Sequence, residues 1–203
     1  PIRYLEKKGS AQIKSSIIFA GMRAEGTTII KTKKSRTHTE IMSKYLKLPI
    51  KVNSKKNYEE ISISKVKKIK NLNYNIPSDI SSGAFFMVLT ALSENSQLIL
   101  KNVNINPSRI GVITILKKMG VKISFKNKKN YKGEKVADIK IKSAKLIKPI
   151  NCPARLNSSA IDEFLVIWIL AAKAKGISYF KNLEELNKKE SPRLIWGSRI
   201  LNK

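Results

Sequence analysis

SAIDEFLVIWILAAKAKG, residues 159–176, begins with small polar residues and two carboxylates, Asp162 and Glu163. An almost unbroken apolar run follows, closed by lysines and Gly176. A polar start, a long apolar stretch and a glycine stop predict a buried helix. The same plan occurs twice more, in SAQIKSSIIFAGMRAEGTTIIK (10–31) and SDISSGAFFMVLTALSENSQLILKNV (78–103). After each helix comes a short β-rich run: TTIIK, SQLILKNV and ISYFKNL. Each is followed by a loop ending in Ser-Arg or Ser-Pro-Arg and a second helix, as in SRTHTEIMSKYL, PSRIGVITILKKMG and SPRLIWGSRIL. Three copies of one helix–strand–helix unit therefore organise the chain.

Local chemistry supports the repeat. Ser10, Asp79 and Ser159 are expected at or near helix N-caps, where a short side-chain oxygen satisfies an orphan amide. Thr37 and Glu40 have capping-box spacing, and Ser191 is expected to cap a helix with Pro192 in its first turn. Gly26 and Gly176 follow the helices, where a left-handed residue is needed. Val112, Ile115, Leu116 and Met119 recur at helical steps, while Lys117 and Lys118 face water. EEISISK (59–65) and VADIKIKSAKL (136–146) alternate as strands with one covered face. The lysine-rich stretches near 53–57 and 126–135 read as solvated hairpin loops.

The formal charge of +27 invites a nucleic-acid reading. Lysine accounts for 34 of the 41 basic residues and is spread along the chain, beside abundant isoleucine and asparagine. That distribution predicts a solvated, lysine-coated surface. No basic stripe interleaves with aromatics as single-strand binding requires. No window is apolar enough to span a membrane, and no secretory signal opens the chain. Cys152 is the only cysteine, which excludes an internal disulfide and fits a reducing, cytoplasmic setting. The chain starts at Pro1 rather than Met, as a fragment or a processed chain would.

Six motifs, in one order, carry a family resemblance: SAQIKS, SRTHTEIM, DISSGAFF, NPSRIGVITILKKMG, IDEF and LEELNKKESPRL. The chain resembles the 5-enolpyruvylshikimate-3-phosphate synthases, enolpyruvyl transferases of the shikimate pathway, from its start to about Leu194. The resemblance implies an α+β, enolpyruvyl transferase-type fold (an α-β prism). Such a fold has two similar globular domains of repeated helix-and-strand units, with the active site in the cleft between them. This chain would hold only part of each: residues 1–76 as the C-terminal part of the first domain, and 77–203 as the N-terminal part of the second. Family members are about twice as long, so the chain alone is expected to be inactive.

The implied reaction moves the enolpyruvyl group of phosphoenolpyruvate to the 5-hydroxyl of shikimate 3-phosphate and releases phosphate, without cofactor or metal. By resemblance, Asp162 is the general base and Glu190 serves proton transfer at the methylene carbon. Ser10, Ala11 and Gln12 bind shikimate 3-phosphate at a helix N-terminus, where free amides favour an anion. Ser35, Arg36, Asp162 and Lys189 are further contacts to that substrate. Arg193 binds phosphoenolpyruvate, with Gln12 lying against it. Pro192 stands where many members carry an acid.

Glu163, Arg109 and the lone His38 read as structural, and Trp168 as core. A monomer is expected. Two rivals remain: the sister enzyme that transfers enolpyruvyl to UDP-N-acetylglucosamine, and a non-enzymatic basic nucleic-acid binder. The sister enzyme usually relies on a loop cysteine that has no counterpart here, and SAQ with KESPR favours the shikimate branch.

Overall fold

Ser10 closes an extended segment and accepts a hydrogen bond from the amide of Ile13, which starts the first helix. A cap of this kind contributes about 1 kcal/mol. The computed structural model describes residues 1–188 and 190–202, and they form two compact units.

The first unit comprises residues 1–76 together with 130–134. Its elements are β1 (Arg3–Glu6), α1 (Ala11–Gly21), β2 (Thr27–Lys33), α2 (His38–Tyr45), β3 (Ile50–Ser54) and β4 (Tyr58–Ser64). The sheet order is β1-β2-β4-β3, with β1 parallel to β2 and the other pairs antiparallel. β2 and β4 alternate as read, burying Ile30, Ile61 and Ile63 under Ile18 of α1. The tip of a later hairpin belongs to this unit. Tyr131 packs on Tyr74 with ring centroids 5.2 Å apart, and Tyr131 Oη accepts from the Asn75 amide. His38 Nδ1 lies 2.6 Å from Glu134 Oε1. The 126–135 stretch is therefore not a solvated loop throughout: its first part is strand, and only Lys132-Gly133, both at positive φ, make the turn.

The second unit comprises residues 77–129 and 135–203, described except for residues 189 and 203. It contains α3 (Ile80–Leu92), β5 (Gln97–Asn104), α4 (Gly111–Lys118), all but the tip of β6 (Lys122–Tyr131) and β7 (Glu134–Lys142), α5 (Phe164–Ala172) and α6 (Arg193–Leu201). Short 3-10 turns lie at Ala154–Leu156 and Glu184–Lys188. The sheet order is β5-β7-β6. Met87, Ile115, Leu116, Met119 and Phe164 are fully buried and pack one continuous core with Ile139 and Ile141. Each such side chain contributes about 1.5–3 kcal/mol.

The repeat survives as a backbone signature. In every copy, the segment entering the first helix pairs in parallel with the segment leaving it. The pairs are β1 with β2, Ser78 with Val103, and Asn151 with Tyr179. A positive-φ residue precedes each return: Gly26 (φ 83), Asn95 (φ 46) and Gly176 (φ 126). The third copy departs from expectation, because ISYFKNL forms a single bridge at Tyr179 rather than a strand.

Several caps also differ. Asp79 caps α3 as read, accepting from Ser82 N at 3.0 Å. Ser159 does not cap; its hydroxyl donates to Leu156 O, and α5 starts only at Phe164. Thr37 occupies the α2 N-cap position without a side-chain cap bond, and the Glu40 carboxylate pairs with Lys14. Pro192 is itself the N-cap of α6, so the helix starts one residue later than expected.

Candidate active site

The residues singled out from the sequence fall into two groups, one in each unit. In the first unit, Ser10, Ala11 and Gln12 form the start of α1. The amides of Ala11 and Gln12 open the helix, where no intrahelical acceptor reaches them. The loop before them is held by Glu6, whose carboxylate accepts from Lys8 N at 2.8 Å, Gly9 N at 2.5 Å and Thr32 Oγ1 at 3.0 Å. Burial pushes the Glu6 carboxyl up, but these bonds and that of the Ser10 amide outweigh it and hold the carboxyl below its ordinary value.

Ser35 and Arg36 lie in the loop between β2 and α2, and α1 is tied to that loop from within. Lys14 Nζ donates to Arg36 O at 2.8 Å, and Ser15 Oγ lies 2.7 Å from Thr39 Oγ1. The Ser35 hydroxyl oxygen is buried and has no hydrogen-bond partner among the described residues.

In the second unit, Asp162 sits in the turn before α5, two residues ahead of the first helical residue, rather than on the helix. Arg193 opens α6. Its guanidinium bridges two predicted carboxylates: Nη1 donates to Asp162 Oδ1 at 3.2 Å and Nη2 to Glu190 Oε2 at 2.7 Å. Three of the expected site residues thus meet, two carboxylates on one cation. Glu190 and Arg193 form an ion pair three residues apart, and Asp162 is part of it. Lys189, the expected contact to shikimate 3-phosphate, lies outside the described residues.

Packing explains this meeting. Gly197 of α6 lies so close to α5 that a Cβ would stand 2.5 Å from Trp168 Cζ3 and 2.7 Å from Leu165 Cδ2. Gly111 does the same for the preceding turn, where a Cβ would stand 2.8 Å from the Ser159 carbonyl carbon. Asn187 Oδ1 accepts from the amides of Leu194 and Ile195, at 3.1 and 3.4 Å, and so supplies the cap that Pro192 cannot. Glu163, beside Asp162, is only 3% exposed and accepts from the Ser81 hydroxyl. Arg109 Nη2 donates to Ser81 Oγ at 2.6 Å and to Asp79 Oδ1 at 2.8 Å. The Asp79 carboxyl is raised by burial, but the Ser82 amide and the Arg109 charge outweigh this and leave it below its ordinary value.

Sequence reasoning missed Glu6, Lys14, Ser81 and Asn187. Only Lys14 had a legible signal: it shares the buried face of α1 with Ile18 and Gly21. Cys152 is buried, and burial raises its thiol above the ordinary value. Among the described residues, no three His, Cys, Asp or Glu side chains gather as a metal would require, and no helix is long and apolar enough to cross a membrane.

The model of the EPSP synthase (3-phosphoshikimate 1-carboxyvinyltransferase) family matches residues 1–203. A 3-phosphoshikimate 1-carboxyvinyltransferase of Hydrogenovibrio crunogenus is 42% identical over 195 residues, covering 95% of this chain and 44% of its own length. That of Ruthia magnifica is 44% identical over 186 residues, covering 91% and 42%. The structure of EPSP synthase from Acinetobacter baumannii superposes with a TM-score of 0.84 at 39% identity, over 96% of this chain and 44% of that one. The enolpyruvyl transferase NikO from Streptomyces tendae shares the fold, with a TM-score of 0.61 at 12% identity over 86% of this chain and 42% of that one. The chain thus spans less than half the length of the relatives it matches. On the match along its whole length, the chain belongs to the EPSP synthase family.

Proposed function

We propose that this chain carries part of the active site of an enzyme that transfers the enolpyruvyl group of phosphoenolpyruvate to the 5-hydroxyl of shikimate 3-phosphate. The observation that carries the reading is Arg193 held between Asp162 and Glu190. An enolpyruvyl transfer needs one group to take a proton from the attacking hydroxyl, another to serve the methylene carbon, and a cation for the anionic donor. These three side chains supply that set in one place.

Asp162 takes the 5-hydroxyl proton as that oxygen attacks the central carbon of phosphoenolpyruvate. Glu190 protonates the methylene, giving a tetrahedral adduct. When the carbon–phosphate oxygen bond breaks, a methyl proton returns to Glu190 and the enol ether forms. The proton count closes when the one on Asp162 leaves with phosphate. Arg193 grips phosphoenolpyruvate with its planar guanidinium, in competition with the carboxylates it now bridges. Lys189 adds a point charge for shikimate 3-phosphate.

The phosphate of shikimate 3-phosphate lies at the start of α1, on the amides of Ala11 and Gln12, with Ser10, the unpaired Ser35 hydroxyl and Arg36 around it. Gln12, exposed at the first turn of α1, is a further contact in this reading. The single buried cysteine fits work in a reducing compartment, and we place the enzyme in the cytoplasm.

Phosphate release from phosphoenolpyruvate tests the reading, with either shikimate 3-phosphate or UDP-N-acetylglucosamine as acceptor and the protein containing this chain as enzyme. Release only with the shikimate ester is expected. Release with the sugar nucleotide would move the protein to the sister activity.

A further inference from the structure

We propose that Lys14 is a positioning residue. Its buried ammonium locks the Ser35-Arg36 loop to the first turn of α1, and so sets the spacing at which the two segments receive the substrate phosphate. The inference rests on the reading of this group as the shikimate 3-phosphate site.

Lys14 is fully buried, although it stands on the first turn of a helix beside the exposed Gln12 and Ile13. A buried ammonium is costly unless it is paired and hydrogen-bonded. It donates a hydrogen bond to Arg36 O at 2.8 Å, and its charge is paired with Glu40 Oε1 at 2.5 Å and, more loosely, with Glu59 Oε2 at 3.9 Å. Glu40 and Glu59 are themselves buried, at 3% and 7% exposure, so the lysine is the cation that makes their burial tolerable.

Stability alone does not explain the cluster. Well-packed apolar side chains of similar volume serve a core as well as a buried ionic group does. An apolar residue cannot, however, donate to the carbonyl of Arg36. That carbonyl belongs to the loop that carries the unpaired Ser35 hydroxyl. At its other end Lys14 is fixed to the anion-binding turn, because its amide donates to Ser10 O at 3.0 Å. One residue thus joins Ser10 to Arg36 through two hydrogen bonds. The contact between Ser15 and Thr39 runs parallel to this link but attaches after the helix start of α2, not in the loop itself.

The test uses the protein containing this chain. Lys14→Met alone strands Glu40 without its cation and can unfold the unit. Lys14→Met/Glu40→Met/Glu59→Gln removes the lysine and both carboxylate charges and keeps the site filled, with a melting temperature within about 4 °C of wild type. In that triple variant KM for shikimate 3-phosphate is expected to rise about ten- to a hundredfold, while KM for phosphoenolpyruvate changes less than about threefold. Amide hydrogen exchange at residues 35–37 is expected to quicken while the β2 and β4 amides keep their protection. A folded triple variant with unchanged KM for shikimate 3-phosphate overturns the proposal. A triple variant that does not fold makes Lys14 purely structural and overturns it as well. Should the wild-type protein take no shikimate 3-phosphate, the functional reading fails. Exchange at 35–37 then decides the role of Lys14 on its own: faster exchange upholds the lock, and unchanged exchange overturns it.

Discussion

Arg193 Nη1 lies 3.2 Å from Asp162 Oδ1, a bond that joins the first turn of α6 to the turn preceding α5. The sequence separates these residues by 31 positions, and two close packings bring them together: Gly197 on Trp168 and Gly111 on Ser159. The candidate base is therefore placed by helix packing.

Arg193→Lys keeps the charge but loses the fork that serves two carboxylates at once. The loss of one charge-assisted hydrogen bond, about 1.5–3 kcal/mol, predicts a KM for phosphoenolpyruvate raised about ten- to a hundredfold. Steady-state kinetics with shikimate 3-phosphate held saturating check this. An unchanged KM would remove Arg193 from the donor site.

Gly197→Val places side-chain atoms where Trp168 and Leu165 already stand. Overpacking of this kind costs about 1–3 kcal/mol. Urea unfolding followed by tryptophan fluorescence is expected to show that loss. Because α6 must shift to relieve the clash, activity should fall by more than the lost folded fraction accounts for.

Ser81→Ala removes a hydroxyl that donates to the buried Glu163. The carboxylate loses one donor at 3% exposure, which predicts a destabilisation of about 1–3 kcal/mol in urea unfolding. Ser82→Ala, on the solvent side of the same helix start, is expected to cost less, since its hydroxyl adds only a 3.2 Å bond to Asp79.

Asp138, on β7, takes no part in the candidate site and gives a separate check on the fold. The amide of Asn102, the Asn127 amide group and the Lys101 ammonium donate to its carboxylate and hold its pKa down to about 2. The folded value lies below the unfolded value of about 3.9, so the stabilisation is full above about pH 4 and is lost as pH falls towards 2. Unfolding free energies measured between pH 5 and pH 2 should fall across that window in the wild-type chain and fall less steeply in Asp138→Asn.

Much of this architecture is legible in the sequence, because three helix–strand–helix copies repeat the same apolar spacing and the same polar starts. Val112, Ile115, Leu116 and Met119 show why: a period of three to four residues leaves one face to bury, and all four are at 0% exposure. Caps are harder to read, since they depend on competition. Glu40 has capping-box spacing, yet a buried lysine from another helix claims it. Ser191 looks like a cap, yet Asn187 reaches the α6 amides from the preceding turn. The third β-run has strand composition, but only Tyr179 finds a bridge partner. In the candidate site, the residue types were legible by family resemblance, while the bond between Arg193 and Asp162 was not, because it depends on how closely α6 packs against α5.

The most direct test of the account is the rate of phosphate release from phosphoenolpyruvate and shikimate 3-phosphate, compared between the wild-type protein and Asp162→Ala. Removal of a general base predicts a kcat lower by about 10²–10⁴-fold, with shikimate 3-phosphate still bound and the fold intact. A folded Asp162→Ala enzyme that releases phosphate at the wild-type rate would contradict the role assigned to Asp162, and with it the mechanism built around the Arg193 bridge.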